Sequence, residues 1–383
     1  MKTDAGELLI NHRSVPVIEG IAVDRGPLRL HRRLPGYART PLLEIPSLAE
    51  RLGVGRLWVK DESSRLGLQS FKILGASYAV YRALCERLGA EPSWSDIDEL
   101  RRQVSTLAPM TLAAATDGNH GLAVARMARL LGLTARVYVP ATMIAARIEA
   151  IESEDAAVTV VDGDYDDAVR RSAEDASDGC IVVSDTSWPG YQRIPWWVIE
   201  GYSTIFWEVD DALHERGAGP PDVVVVPMGV GALAAATVRH YRRPEASAKP
   251  RLVGVEPLSA DCVLASLRAG RPVTIPGPHD SIMAGLNCGT PSQLAWPLLR
   301  DGMDVVAAID DTRACAAVRQ LAGVGIVAGE TGAAGIGALA ELRDEAGQAR
   351  VASGLSPVAS VLVVVTEGAT DPQSYARITT GHA

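Results

Sequence analysis

Asp222–Ala236 reads DVVVVPMGVGALAAA. Successive side chains of a strand point to opposite faces, so four valines in a row leave no face for solvent. Asp222–Met228 is therefore expected to be a strand buried on both sides, the habit of parallel sheets. Gly229-Val230-Gly231 ends the run, and an Ala-rich stretch follows. Strand, glycine turn and helix form the repeating unit of α/β proteins. Such a turn presents free backbone amides at a helix start, which suits an anion. No Gly-Lys-Ser/Thr follows, so this is not a P-loop, and Ala234 makes GxGxxA a weak dinucleotide fingerprint. A tight turn with no ligand satisfies the same pattern.

The rhythm extends in both directions. Leu112–Thr116, Ala135–Pro140, Ala156–Val161 and Cys180–Ser184 are short apolar runs. The stretches Gly121–Leu131, Ile144–Glu154 and Tyr165–Ala176 between them read as helices. Arg251–Glu256 and Val361–Thr366 continue the series begun by Asp222–Met228, again separated by Ala-rich helices. Two such series predict an α/β protein of two open, mostly parallel-sheet domains with helices on both faces. The expected division is residues 1–76 plus 196–383 for the large domain and 77–195 for the small one. Ala90–Arg102 reads as a polar surface excursion, Gly219–Pro221 and Pro276–Pro278 as loops, and the tail after Pro372 carries little signal.

Composition narrows the function. The 383 residues are 47% apolar and 22% charged, ordinary for a globular chain with a sizeable core. The net charge of −9 argues against a nucleic-acid partner, which calls for a basic face. No apolar run reaches the roughly 18 residues of a membrane helix. MKTDAGELLINHR lacks the apolar stretch of a signal peptide. Cys85, Cys180, Cys262, Cys288 and Cys315 are scattered and form no CxxC pair, which fits reduced thiols in a cytoplasm and offers no zinc site.

Open parallel sheets bind ligands at the carboxyl ends of their strands. Polar residues gather there. Asp117-Gly118-Asn119-His120-Gly121 follows one run, Asp185-Thr186 another, and Thr366-Glu367-Gly368 a third. Capping of the next helix by Asp117 or Asn119 accounts for one polar side chain in the first loop, but not for three. In Ser70-Phe71-Lys72 the lysine lies among apolar residues, with Gly75 and Ala76 permitting close packing behind it. A lysine in a dry pocket sheds its proton more readily and becomes a nucleophile.

SFKILGA, TDGNHG and MGVGALA come in the order of a pyridoxal-phosphate enzyme of the tryptophan-synthase-β/threonine-dehydratase fold, fold type II. The resemblance goes further. HRRLPGYARTPL, VKDESSRLGLQSFKILGASYA, ATDGNHG, DYDDAV, SDTSWPGYQRIPWWVIEGY, IMAGLNCG, GETGAAGIGAL and TEGATDP resemble successive segments of the diaminopropionate ammonia-lyase family. The likeness runs from about His31 to Pro372, and the SDTSWPGYQRIPWWVIEGY and TEGATDP blocks are its most specific parts.

The resemblance implies a cofactor, pyridoxal 5'-phosphate, in the interdomain cleft and joined to Lys72. The amides of Gly229, Val230, Gly231 and Ala232 would hold its phosphate. Asn119 would lie near its 3′ oxygen, and Thr366 would bond its pyridine nitrogen. The Asn loop would hold the substrate carboxylate, making Ser70, Asp117, Gly118, Asn119, His120 and Asp185 the expected substrate-binding residues. Lys72, Asp117 and Asp185 are the expected catalytic groups: Lys72 or Asp117 takes the Cα proton, and a carboxylate helps the β-amino group leave as ammonia. No metal is expected. The expected partner is a small amino-acid substrate, in a cytoplasmic homodimer without nucleic acid or membrane.

Four positions depart from the family pattern: Gln69, Ser70, Leu122 and Ala369. They keep open β-elimination or β-replacement on another β-substituted amino acid, in a serine/threonine dehydratase-like or secondary-metabolite enzyme. A pyridoxal-phosphate-binding protein without turnover is disfavoured by Asp117 and Asp185, which binding alone does not need. His120 is expected to brace the Asn loop and Cys288 to be structural. Trp188, Trp196 and Trp197 are expected to pack at the domain junction. Asp166-Asp167 should serve a helix dipole. Glu256 reads equally as a pocket wall or a loop residue.

Overall fold

The computed structural model describes residues 6–345 and 347–381; the first five residues of the N-terminal stretch and the last two of the tail lie outside them. The chain forms two compact units, Met1–Asp24 with Arg39–Ser64 and Ile205–Ala383, and Arg25–Ala38 with Arg65–Thr204. These boundaries differ from the expected cuts at 76/77 and 195/196. A cut after Ala76 would sever the helix α1, Lys72–Leu88, which is unbroken and largely buried there. Lys72 therefore belongs to the smaller unit. Arg25–Ala38 joins it too, because the buried His31 bonds the Leu74 carbonyl of α1 at 2.9 Å and the Thr204 hydroxyl at 2.7 Å.

The smaller unit carries a four-stranded sheet. Its strands are β4 (Thr111–Ala115), β5 (Thr134–Pro140), β6 (Ala157–Val161) and β7 (Cys180–Val182), all parallel, in the order β6-β5-β4-β7. The linking helices are α2 (Asn119–Leu131), α3 (Ala145–Glu152) and α4 (Tyr165–Ala173), close to the expected spans. Asp164 and Asp167 form a capping box at the start of α4, so the acidic residues there cap the helix as well as serving its dipole. The long helix α5 spans Arg193–Glu215, in this unit up to Thr204 and in the larger one from Ile205.

The larger unit carries seven strands: β1 (Glu7–Ile10), β2 (Leu42–Glu44), β3 (Arg56–Asp61), β8 (Val223–Pro227), β9 (Arg251–Pro257), β10 (Val305–Ile309) and β11 (Ser360–Val365). Their order is β1-β10-β9-β8-β11-β3-β2, with only the edge strands antiparallel. Val223–Val226 are fully buried at the centre, as the run of valines requires. The helices that matter below are α6 (Ala232–Arg242), α7 (Cys262–Ala269) and α8 (Glu330–Asp344).

In both sheets the chain reverses direction beside one strand. From β4 it moves outward through β5 to β6, then returns to place β7 on the other side of β4. From β8 it moves through β9 to β10, then returns to place β11 on the other side of β8. The loops leaving the paired strands at each reversal diverge to opposite faces and open a crevice at the carboxyl ends.

Ala90–Arg102 is more ordered than expected. Asp96 caps a short helix, Ile97–Val104, which buries Leu100 and Val104, and Trp94 is buried just before it. The tail likewise forms a helix, Pro372–Thr380, which buries Ile378.

Close packing fixes the C-terminal end of β11. A Cβ on Gly332 of α8 would stand 2.4 Å from the Glu367 carbonyl oxygen, one residue beyond Thr366. Alanine is the better helix former by about 1 kcal/mol, but overpacking against backbone costs about 1–3 kcal/mol. Gly332→Ala should therefore lower the urea midpoint. A raised midpoint would show that the backbone after β11 yields freely.

Candidate functional site

The smaller unit brings together all three expected catalytic side chains. β4 and β7 are neighbours, so the loops that follow them lie side by side, and these loops carry Asp117 and Asp185. Lys72 opens α1, and its Nζ lies 2.5 Å from Asp185 Oδ2. The Asp185 side chain is 5% exposed and that of Lys72 18%, so this ion pair is largely shielded from water. Burial opposes the charge on each, but the attraction between them prevails. Lys72 is held above the usual ammonium range, and Asp185 well below the usual carboxylate range. The expectation of a readily deprotonated lysine is thereby corrected: in this geometry the carboxylate outweighs dryness and holds Lys72 as an ammonium.

Asp185 has a second partner that the sequence reading passed over. Tyr165, in the DYDDAV segment, donates its hydroxyl to Asp185 Oδ1 at 3.2 Å. Both carboxylate oxygens are thus engaged, one by an ammonium and one by a phenol.

Asp117 is free of the capping duty considered for it. α2 begins at Asn119 with Gly118 as its cap and no side-chain cap bond. The Thr116 hydroxyl accepts the Gly118 and Gly121 amides at 2.8 and 2.9 Å instead. Gly118 has φ +140, and its open side faces Arg147 of α3, whose Nη1 donates to the Asp117 carbonyl at 3.1 Å. Burial raises the Asp117 carboxyl above its ordinary range, while Lys72 and Arg147 pull the other way. A carboxylate raised in this way is a stronger base.

The remaining expected residues of this unit have defined places. His120 is buried and bonds the Val183 carbonyl through Nε2 at 2.8 Å, a brace between the two loops. Asn119 is half-buried in the first turn of α2. The buried Ser70 accepts the Lys72 amide through its hydroxyl at 3.3 Å, so it also fixes the start of α1. Of the four departures from the family pattern, Ser70 is buried, Gln69 is exposed, and Leu122 and Ala369 are half-buried. Trp188 stacks on Tyr191 with ring centroids 4.1 Å apart, and the guanidinium of Arg82 lies 5.5 Å from the Trp197 ring.

The larger unit contributes the glycine turn. β8 and β11 are neighbours, so the turn after β8 and Thr366 after β11 occupy adjacent strand ends. Among the described residues, the amides of Gly229, Val230, Gly231 and Ala232 donate to no backbone carbonyl. Gly231 has φ +97, and a Cβ there would meet Leu299 at 2.5 Å. The backbone thus lies open at the start of α6, where amides and helix dipole favour an anion. Thr366 is 2% exposed, and its hydroxyl oxygen has no hydrogen-bond partner among the described residues.

These features fit pyridoxal phosphate. The open amides of the larger unit match its phosphate, and the unpartnered Thr366 hydroxyl matches its ring nitrogen. Another polar group of this unit is already committed. Glu256 lies at the end of β9 and accepts the Val263 and Leu264 amides of α7 at 2.9 Å each. Burial pushes its carboxyl up to about 8, and its place is structural. Cys288 lies beneath the turn, where a Cβ on Gly229 would meet its Sγ at 3.2 Å.

Fold and site together define a fold type II enzyme dependent on pyridoxal phosphate. The family model "Pyridoxal-phosphate dependent enzyme" matches residues 33–367. A diaminopropionate ammonia-lyase from Salmonella typhimurium is 36% identical over 367 residues, covering 92% of this chain and 90% of that protein. The crystal structure of diaminopropionate ammonia lyase from Escherichia coli in complex with D-serine superposes with a TM-score of 0.90 at 33% identity, covering 98% of this chain and 97% of that one. The same enzyme in complex with an aminoacrylate-PLP azomethine intermediate gives 0.87 at 33% identity, with the same coverage. The chain belongs to the pyridoxal-phosphate-dependent enzymes and, among them, to the diaminopropionate ammonia-lyase family.

The phosphate assignment has a direct test. Hydrogen bonds to a charged group contribute about 1.5–3 kcal/mol each, so losing two or three should weaken binding by roughly a hundred-fold or more. Apo-protein should therefore bind pyridoxal phosphate at least about a hundred times more tightly than pyridoxal, by fluorescence titration. Equal affinities would move the phosphate away from the turn. Gly231→Asp is a poor probe, because positive φ and Leu299 exclude any side chain there.

Proposed function

We propose that this enzyme eliminates the β-amino group of 2,3-diaminopropionate, the overall reaction being diaminopropionate plus water to pyruvate plus two ammonia. The observation that carries the reading is the pairing of Lys72 with Asp185 at 2.5 Å, with Asp117 on the neighbouring strand end. One amine and two carboxylates in one pocket match a substrate that must lose a Cα proton and expel a protonated amine.

Lys72 would be the attachment point of the cofactor, the Gly229–Ala232 amides would hold its phosphate and Thr366 its ring nitrogen. Bound pyridoxal phosphate supplies the electron sink for the charge left at Cα. The protein's own groups do the rest. Lys72 takes the Cα proton from its own side of the substrate. Asp117 reaches Cα from the other side, its basicity raised by burial. Asp185, kept ionised by Lys72 and bonded by Tyr165, holds the β-ammonium and steers its departure. Asn119, His120, Gly118 and Ser70 shape the loop ends that receive the substrate carboxylate. A homodimer in the cytoplasm completes the proposal; the five cysteines form no disulfide, which agrees with a reducing compartment.

Two measurements test this. In a screen following ammonia and keto-acid release, diaminopropionate should be the best substrate among diamino, hydroxy and thio amino acids. A hydroxy or thio substrate with the higher kcat/KM would favour the second reading, left open by the departure at Ser70. L- and D-isomers present their Cα protons to opposite sides, so Asp117→Asn should suppress D-isomer turnover by roughly two decades and spare the L-isomer. Equal slowing of both isomers would remove Asp117 as the base for one side.

A further inference from the structure

Tyr202, in α5, is fully buried, and its hydroxyl has no hydrogen-bond partner among the described residues. A buried polar group without a partner costs stability, so a phenol here, where phenylalanine would fill the same space, calls for a reason. The ring cannot swing away to find a partner. It packs on Phe71 with ring centroids 4.7 Å apart. It also fills the notch left by Gly75, where a Cβ would stand 2.5 Å from Tyr202 Cε1 and 2.7 Å from Cζ.

Gly75 lies three residues beyond Lys72 on α1, and residues three apart share a helix face. Helical side chains lean toward the N-terminus, so Lys72 lies on the same face as Cζ, the carbon that carries the hydroxyl. Tyr202 senses the three reaction groups electrostatically. Burial pushes its phenol up, Lys72 opposes this, and Asp185 and Asp117 add to it, so the phenol stays protonated across the neutral range.

We propose that Tyr202 is a positioning residue for Lys72, its oxygen accepting a hydrogen bond from the lysine ammonium formed when Nζ takes the Cα proton. This rests on the reading of Lys72 as the base for the L-isomer. An ammonium carries three N–H donors. One is taken by Asp185, and Tyr202 supplies a fixed acceptor for a second. In the transfer the Cα–H bond breaks, its electron pair stays on the substrate, and a new N–H bond forms on Lys72. Two fixed acceptors leave the remaining position on Nζ, lone pair or N–H, directed at Cα.

Tyr202→Phe removes one oxygen and nothing else. The variant should melt at or above the wild-type temperature and bind the cofactor normally. Turnover of L-diaminopropionate should fall roughly ten- to a hundred-fold in kcat with little change in KM, the worth of one hydrogen bond to a charged group, and the D-isomer should slow far less. The decisive readout does not depend on which L-amino acid is the substrate: the midpoint of the pH dependence of kcat, where Lys72 acts as the base. Loss of the acceptor should lower the midpoint by about one pH unit. An unshifted midpoint overturns the proposal whatever the substrate. A lower melting temperature with equal slowing of both isomers also overturns it, leaving Tyr202 a packing role. A shifted midpoint in an enzyme that ignores diaminopropionate upholds the Tyr202–Lys72 contact and sinks only the substrate reading.

Discussion

The reversal of strand order beside β4 and beside β8 is the constraint on which the rest depends. Two parallel neighbours whose chains leave toward opposite faces cannot have their ends covered by the same helix, so a crevice opens there. Every expected site residue of this chain except Ser70 and Lys72 stands in a loop, or the first turn of a helix, that follows one of the four strands at the reversals. Asp117, Gly118, Asn119 and His120 follow β4, and Asp185 follows β7. Gly229, Val230, Gly231 and Ala232 follow β8, and Thr366 follows β11. The fold gathers chemistry from positions far apart in sequence with no special local structure beyond the βα turn.

Within that frame the ion pair between Lys72 and Asp185 decides the electrostatics. Each of these groups is too buried to carry its charge alone, and each makes the other's charge tolerable. The same pairing explains why Asp185 stays ionised while Asp117, for which burial outweighs the pull of Lys72 and Arg147, is raised. Two carboxylates on adjacent strand ends thus acquire different characters, one an anion that holds a cation and one raised by burial. Divergent environments for paired carboxyl groups are how one pocket divides acid and base duties.

Much of this was legible in the sequence, for physical reasons. A strand buried on both faces must be apolar throughout, so β8 and β11 announce themselves, and the glycine turn after β8 follows from the tight reversal. β3 and β10 were not read. β3, RLWVKD, carries charges that break the apolar pattern, and its Lys60 is buried only because Glu208 lies 2.6 Å from Nζ and the Thr40 carbonyl 2.9 Å. β10, VVAAI, is short and rich in alanine, which does not distinguish strand from helix. The compact units divide elsewhere than at the expected cuts because α1 joins Lys72 to the unit that follows it, and helix continuity leaves no break in composition. The charge state of Lys72 was misjudged because local sequence reports dryness but not a carboxylate 113 residues away. Tyr165 and Tyr202 lie inside segments already seen as characteristic, but their roles depend on where a hydroxyl ends in space.

The central claim is that Lys72, alone among the four lysines of the chain, carries the cofactor. Lys60 is fully buried and bound to Glu208, Lys249 lies beside the Arg243 carbonyl, and among the described lysines only Lys72 has Asp185 and Asp117 in its surroundings. Reduction of the yellow holoenzyme with borohydride, followed by peptide mapping, tests this most directly. The account predicts that the phosphopyridoxyl group is recovered on the peptide containing Lys72 and on no other. Recovery on Lys60 or Lys249 would contradict it, and with it the assignment of the crevice beside β4 as the place of reaction.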